Sequence, residues 1–296
     1  MNDITVQGVA SRRLRPLYWS VRREIWENRS IYLAPLIVFS IVLFASMIGV
    51  LRLGRKIMAV PAGDVAKLHA VAVAPFTMAP APIMLATFLV GVYYCLDALH
   101  GERRDRSLLF WKSLPVSDGR TVLSKALIPL LVLPAIALAL SVTIEIILLL
   151  FATMVLPGSG VSPAIVWRKF VLVEEVPVMF YGMAIHTLWF APIYGWLLLV
   201  SAWARRAPVL WAVLPLFLIG VVERLALQST NVAAFLRYRV IGAMARGFDT
   251  KRTAGITSFD VTPARFISTP GLWLGLLFAA LCVLAAVRLR RSRDPA

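Results

Sequence analysis

Six long runs of apolar residues, separated by short basic segments, dominate the pattern of this 296-residue chain. About 20 apolar residues in a helix cross a hydrocarbon core that is about 30 Å thick. The runs therefore predict an all-α integral membrane protein, built as one transmembrane domain over residues 1–296. The predicted spans cover residues 31–50, 77–98, 126–151, 177–200, 207–222 and 267–287.

The composition supports a membrane protein over a soluble one. Apolar residues make up 60% of the chain and charged residues 16%, against about 45–50% and about 25% in soluble domains. Both cysteines, Cys95 and Cys282, fall inside predicted spans. They are therefore expected to be packing residues, and a disulfide scaffold is excluded.

The strong positive charge has a topological explanation. The chain carries 31 Lys and Arg against 15 Asp and Glu, and the basic residues lie between the apolar runs rather than on a soluble module. That distribution argues against nucleic-acid binding and favours anionic lipids as electrostatic partners. When the segments between the predicted spans are assigned alternately to the two sides of the membrane, eighteen basic residues lie on the side that holds the termini and thirteen on the other. Both termini are therefore predicted to be cytoplasmic.

The first 29 residues are predicted to form an amphipathic helix at the membrane surface, leading into the first span. Leu17, Val21 and Ile25 recur at helical spacing, while charged residues occupy the other faces. Trp19 and Trp26 suit the headgroup zone. A basic membrane anchor without further function is the simpler alternative.

Residues 99–120, between the second and third spans, are too apolar for a simple loop. The segment begins with charged residues and continues into a hydrophobic run that stops at Pro115. Glu102 and Arg106 are spaced as neighbours on a helix surface. A short helix along the cytoplasmic face is predicted, which either transmits force from a soluble partner or lies on the membrane, held by Trp111 and Lys112.

Two segments of the chain resemble a known family. Residues 102–118 (ERRDRSLLFWKSLPVSD) and 121–125 (TVLSK) look like the cytoplasmic loop of ABC-2-type transporter permeases. The stretch 22–30 (RREIWENRS), followed by Ala34-Pro35-Leu36, is similar to the N-terminal helix of that family. Six spans, cytoplasmic termini and a long external connection, here residues 223–265, also match.

The resemblance implies a function that depends on other chains. The chain would be the permease subunit of an exporter in the bacterial cytoplasmic membrane, working by alternating access on a hydrophobic or amphipathic substrate. A second permease chain, identical or related, would complete the path, and separately encoded ABC ATPases would supply ATP and Mg. The residues that would couple to the ATPase are Glu102, Arg103, Arg104, Asp105, Arg106, Phe110, Trp111 and Lys112.

The chain itself contains no ATPase motif. No G-x-x-x-x-G-K-[ST] phosphate loop occurs, so the chain is not expected to be an enzyme, and hydrolysis would come from another polypeptide. A secondary transporter or channel without an ATPase is the main alternative. An intramembrane protease, suggested by Glu174, Glu175 and His186, is less favoured because Met179 and Gly182 break the motifs it needs, and no metal site is predicted.

Glu145 is the one ionisable residue of the third predicted span. A carboxylate near the bilayer centre costs at least about 2.5–3.5 kcal/mol. It therefore needs a partner or a water-lined cavity. Glu145 either lines the substrate path or has a structural role beside an external arginine.

Overall fold

The computed structural model of the chain describes residues 17–61, 63–104, 117–169, 172–253 and 256–292. Six helical stretches within these residues are long and apolar enough to cross a membrane. They confirm the prediction of an all-α membrane fold. The six stretches are Ser30–Leu51, Val65–Arg104, Asp118–Ser159, Val176–Trp203, Pro208–Leu227 and Pro270–Ser292.

Several of these stretches are divided into shorter helices by prolines and turns. The helices, in chain order, are α1 (17–27), α2 (Ser30–Leu51), α3 (Leu53–Met58), α4 (Val65–Thr77), α5 (Pro80–Ala98), α6 (His100–Arg104), α7 (Asp118–Leu127), α8 (Leu133–Val155), α9 (Ala164–Lys169), α10 (Leu172–Trp203), α11 (Pro208–Val222), α12 (Asn231–Gly247), α13 (Pro263–Ile267) and α14 (Pro270–Ser292). Two π-helical turns, Ile128–Val132 and Glu223–Leu227, and one 3₁₀ turn, Leu156–Ser159, interrupt or extend them.

Prolines account for many of these boundaries. Pro80, Pro208 and Pro270 each stand at the first position of a helix, where the missing N–H would have no partner in the helix anyway. Pro129 lies in the first π-helical turn, which is the kind of irregularity that a proline inside a long helix produces. The third span consequently runs from α7 through this turn into α8.

Helix α10 is the centre of the bundle. It packs most extensively against α14 and also contacts α5 and α8. Its Trp189 and Tyr194 are the largest fully buried side chains among the described residues. Helix α2 packs on α5 and α8, whereas α11 has few neighbours and exposes most of its apolar side chains, as a helix facing lipid does.

The connection between the fifth and sixth spans contains its own secondary structure. It holds α12, an antiparallel hairpin of β1 (Phe248–Thr253) and β2 (Ile256–Val261), and α13. Phe248 pairs with Val261 at the open end of the hairpin, and the Thr262 N–H bonds the Gly247 carbonyl at 3.0 Å just beyond it. Sequence reasoning treated residues 223–265 only as a connection.

Helix α12 is held at its start and in its middle. The carboxylate of Glu223 accepts hydrogen bonds from the Ser229 hydroxyl and from the N–H groups of Asn231 and Val232, which begin the helix. Further along, Arg239 donates to the Gly271 carbonyl at 3.1 Å. Gly271 begins α14, so α12 lies toward the end of α14 opposite Arg290.

Candidate functional site

A buried carboxylate, Glu24 of α1, lies where three helices meet. Its side chain is 0% exposed and accepts a hydrogen bond from the Tyr94 hydroxyl of α5 at 2.8 Å. The accepting oxygen, Oε2, also lies 3.0 Å from the ammonium group of Lys125 on α7. The Arg23 guanidinium lies 3.0 Å from the other oxygen, Oε1. Glu24 thereby joins the N-terminal helix to the second and third spans.

Lys125 links this carboxylate to a second one. Its ammonium group also lies 3.0 Å from Glu102 Oε1, on α6. The other oxygen of Glu102 accepts a bond from Arg290 of α14, and Arg290 in turn bonds Asp118 of α7 at 3.0 Å. The chain of contacts therefore runs from the N-terminal helix to the end of the sixth span.

We refer to these six residues, Arg23, Glu24, Glu102, Asp118, Lys125 and Arg290, as the ionic network. It contains three carboxylates and three cations, so its formal charges cancel. Burial makes each charge depend on its neighbours, because an unpaired charge in the interior costs several kcal/mol. The network therefore favours joint movement of the helix ends it connects over movement of one of them alone.

The edge of the ionic network is partly exposed. Arg23 also approaches Glu27, one turn further along α1, at 3.5 Å. Partial burial raises the pKa of the Glu27 carboxyl, and the charge of Arg23 opposes that rise. Of the two carboxylates of α1 beside Arg23, Glu27 is exposed and Glu24 is buried.

A second set of contacts fastens the same region to α10. The N–H groups of Leu99 and His100 both donate to the Ser201 hydroxyl at 3.0 Å. Arg103 donates to the Ser201 carbonyl and, at 2.9 Å, to the Ala204 carbonyl. These carbonyls end α10 and have no partner within the helix, so a cation suits them. The start of the segment 99–120 is thus attached to the fourth span.

The structure describes part of the predicted coupling segment. Glu102 lies in the ionic network and Arg103 lies against the end of α10. Arg104 is exposed at the end of α6. The remaining predicted coupling residues, Asp105, Arg106, Phe110, Trp111 and Lys112, lie outside the described residues, as does the predicted helix that contains them.

Sequence reasoning missed most of the ionic network. Glu24, Tyr94, Lys125 and Arg290 are far apart in the chain, and periodicity does not show which helix ends meet. One signal was present: at helical spacing Glu24 falls beside Leu17 and Val21, at the edge of the apolar face. A carboxylate in that position predicts a buried partner.

A cavity of about 340 Å³ lies between the spans, and none of the residues of the ionic network lines it. Helices α5, α8 and α10 form most of its wall, and Val240 and Ala243 of α12 and Phe248 of β1 complete it. The lining is largely apolar. Its polar side chains include Thr87, Ser141 and His186. A volume near 300 Å³ is at the lower end of the range for small-molecule sites.

The side chains around His186 connect the cavity to the π-helical turn. His186 Nε2 lies 3.2 Å from the Tyr194 hydroxyl, and its ring packs against Phe190 at 4.7 Å. The next residue, Thr187, donates to the Leu130 carbonyl at 2.8 Å. Leu130 belongs to the π-helical turn, where irregular winding makes a carbonyl available to a neighbouring helix.

Glu145, the candidate path residue, is 1% exposed on α8. It lies one helical turn beyond Ser141, which lines the cavity, but Glu145 is not among the lining residues. Neighbouring positions Ile144, Leu148 and Leu149 belong to an apolar cluster with α2 and α5. Its place in a substrate path stays a prediction.

Neither a search for metal-binding clusters nor comparison with known proteins identifies a function for the chain. Within the part of the chain that the structure describes, no three His, Cys, Asp or Glu side chains come close enough together to hold a metal ion. Comparisons of the chain with protein-family models, curated proteins and solved structures find no match. An assignment of function therefore depends on the residues and their geometry.

Proposed function

We propose that this chain is the permease subunit of an ABC exporter in the bacterial cytoplasmic membrane, with both termini in the cytoplasm. Two permease chains, identical or related, would act with separately encoded ATPases that bind ATP and Mg. The substrate would be hydrophobic or amphipathic and would cross by alternating access. The proposal extends the resemblance of residues 22–36 and 102–125 to ABC-2-type permeases.

The ionic network is the observation that carries the proposal. A transporter driven by an external ATPase needs its cytoplasmic contact segment joined firmly to the helices that enclose the substrate. Glu102 and Arg103 begin that segment, and their partners Lys125, Arg290 and Ser201 lie on α7, α14 and α10. A force applied to residues 99–120 would therefore reach the third, fourth and sixth spans directly.

The cavity lies along the helices that such a force would move. Ser141 and His186 line it from α8 and α10. Helix α8 continues α7, and both α7 and α10 contact the coupling segment. A relative shift of α8 and α10 would change the width of the cavity. This is the change that alternating access requires, since a substrate site must face one side of the membrane at a time.

Copurification from native membranes tests the proposal. A tagged chain is expected to bring down a protein with a phosphate-loop motif, and the purified complex is expected to hydrolyse ATP. Arg104→Glu combined with Arg106→Glu should weaken that association, because juxtaposed like charges cost several kcal/mol at an interface. Arg103 is left unchanged in this variant because it bonds the end of α10.

Matched controls separate docking from general damage. Arg55→Glu with Lys56→Glu makes the same charge change at exposed positions on the opposite side of the bundle, and should leave copurification unchanged. Phe110→Ala with Trp111→Ala should weaken association about 30-fold if these side chains are interface anchors. If no phosphate-loop protein copurifies and the preparation has no ATPase activity, the proposal is wrong and a transporter or channel without an ATPase is favoured.

A further inference from the structure

We infer that the cavity between α5, α8 and α10 binds a neutral, mostly apolar small molecule that carries a hydrogen-bond donor. That this molecule is the transported substrate rests on the proposed function. The inference then narrows the class of substrate. It excludes charged amphiphiles and phospholipids. The reasons are the charge, the polar groups and the shape of the cavity.

The charge of the lining excludes an ionised ligand. Among the described residues that line the cavity, none is Lys, Arg, Asp or Glu. An isolated charge in an apolar interior costs far more than a hydrogen bond can return. A ligand that is neutral at physiological pH avoids this cost, and its apolar surface gains from leaving water.

The polar groups in the cavity favour a donor on the ligand. The Thr87 hydroxyl donates its proton to the Met84 carbonyl at 2.8 Å, so toward the cavity its oxygen can only accept. Ser141, 4% exposed, lines the cavity from α8, and its hydroxyl can either accept or donate a hydrogen bond. A hydroxyl or N–H group on the ligand would satisfy either oxygen.

The apolar lining suits molecules of more than one shape. Three of its side chains are methionines, Met84, Met179 and Met183, which are flexible and fill irregular gaps. The volume of about 340 Å³ accommodates a molecule of two or three rings, whereas a phospholipid with two acyl chains is much larger. The cavity therefore fits compact apolar molecules.

Photolabelling with a matched pair of probes tests this inference. The purified chain in lipid nanodiscs would be irradiated with 4-(hydroxymethyl)benzophenone, which is neutral and has one hydroxyl donor, or with 4-benzoylbenzoate, which carries a negative charge. Peptide mass spectrometry then locates the label. We expect saturable labelling by the neutral probe at Met179 or Met183, and at least about tenfold less by the charged one.

Two glycines provide a matched pair of variants. A Cβ atom added at Gly182, which lines the cavity, would meet Phe248 at 3.7 Å, and one added at Gly220 on α11 would meet Val232 at 3.7 Å. Both sites accept a Cβ atom at ordinary contact distance. Gly182→Leu should reduce labelling about tenfold by filling the cavity, whereas Gly220→Leu should leave it unchanged.

A smaller change keeps the test decisive if Gly182→Leu does not fold. Ser141→Ala preserves the shape of the cavity and should lower labelling about threefold through loss of one hydrogen bond. Labelling that rises without saturation and concentrates on Met154, 79% exposed on α8, would indicate partition into lipid and overturn the inference. Equal labelling by the two probes would overturn it too.

The labelling assay requires no ATPase and no transport. A chain that copurifies with a phosphate-loop ATPase but does not label in the cavity would refute this site and leave the proposed function standing. A chain that labels as expected but has no ATPase partner would refute the proposed function and leave the binding site standing.

Discussion

Replacement of Lys125 by methionine should loosen the whole region around the ionic network. Lys125 is 3% exposed, and its ammonium group lies 3.0 Å from both Glu24 and Glu102. Removing one partner from a buried ion pair costs about 3–5 kcal/mol. We expect the lower value, about 3 kcal/mol, because Glu24 keeps Arg23 and Glu102 keeps Arg290.

The rate of thiol modification at Cys95 measures this loss. Cys95 is fully buried, in the same apolar cluster as Tyr94 and Ala126, the neighbours of the network. With Cys282 replaced by alanine, Cys95 is the single cysteine of the chain. A buried thiol reacts through local opening, so a loss of about 3 kcal/mol should speed maleimide labelling about a hundredfold.

Two further variants make the result specific to the network. Lys67→Met removes a lysine that is exposed near the start of α4 and should leave the labelling rate unchanged. Lys125→Arg keeps the charge and should restore much of the protection. If Lys125→Met labels at the rate of the parent chain, the ionic network does not hold these helices together and the coupling argument loses its basis.

Three other outcomes are expected, two from the structure and one from the distribution of basic residues. Glu223→Ala should destabilise the start of α12 by about 1–2 kcal/mol, measured as faster proteolysis of residues 231–261. Gly275→Ala should lower the thermal stability, because its Cβ would lie 2.9 Å from Cγ of the rigid Pro192 ring and 2.8 Å from Arg239 Cζ, whereas Gly119→Ala meets nothing within 4 Å and should not. Reporter domains inserted after Gly119 and at the C-terminus should be cytoplasmic and one after Gly158 external; an external reporter after Gly119 would contradict the coupling role of residues 99–120.

The spans were predictable because their length is set by the bilayer rather than by contacts. The apolar runs beginning near residues 31 and 207 correspond to α2 and α11, which begin at Ser30 and Pro208. Boundaries inside longer runs were less visible. Residues 65–77 form a helix of their own, α4, because Pro80 begins a new helix within an otherwise apolar run.

Contacts between distant residues were not predictable in this way. Spacing along the helix places Glu102 beside Arg106, which lies outside the described residues, but it gives no sign that Glu102 contacts Lys125 and Arg290. Local spacing shows which side chains share a helix face, but not which helix ends meet in the folded bundle. The cavity could not be predicted for the same reason, since its walls come from separate spans.

Helix α12 gives the cavity one wall that does not cross the membrane. The walls from α5, α8 and α10 are spans packed against each other, so parting them would separate extensive apolar surfaces. Helix α12 is attached through the carboxylate of Glu223 at its start, through Arg239 in its middle, and through the packing of Tyr238 and Ala243 around Trp189 of α10. A ligand that left on that side would have to displace this one connecting helix from Trp189, whereas a ligand that left between α5, α8 and α10 would have to part packed spans.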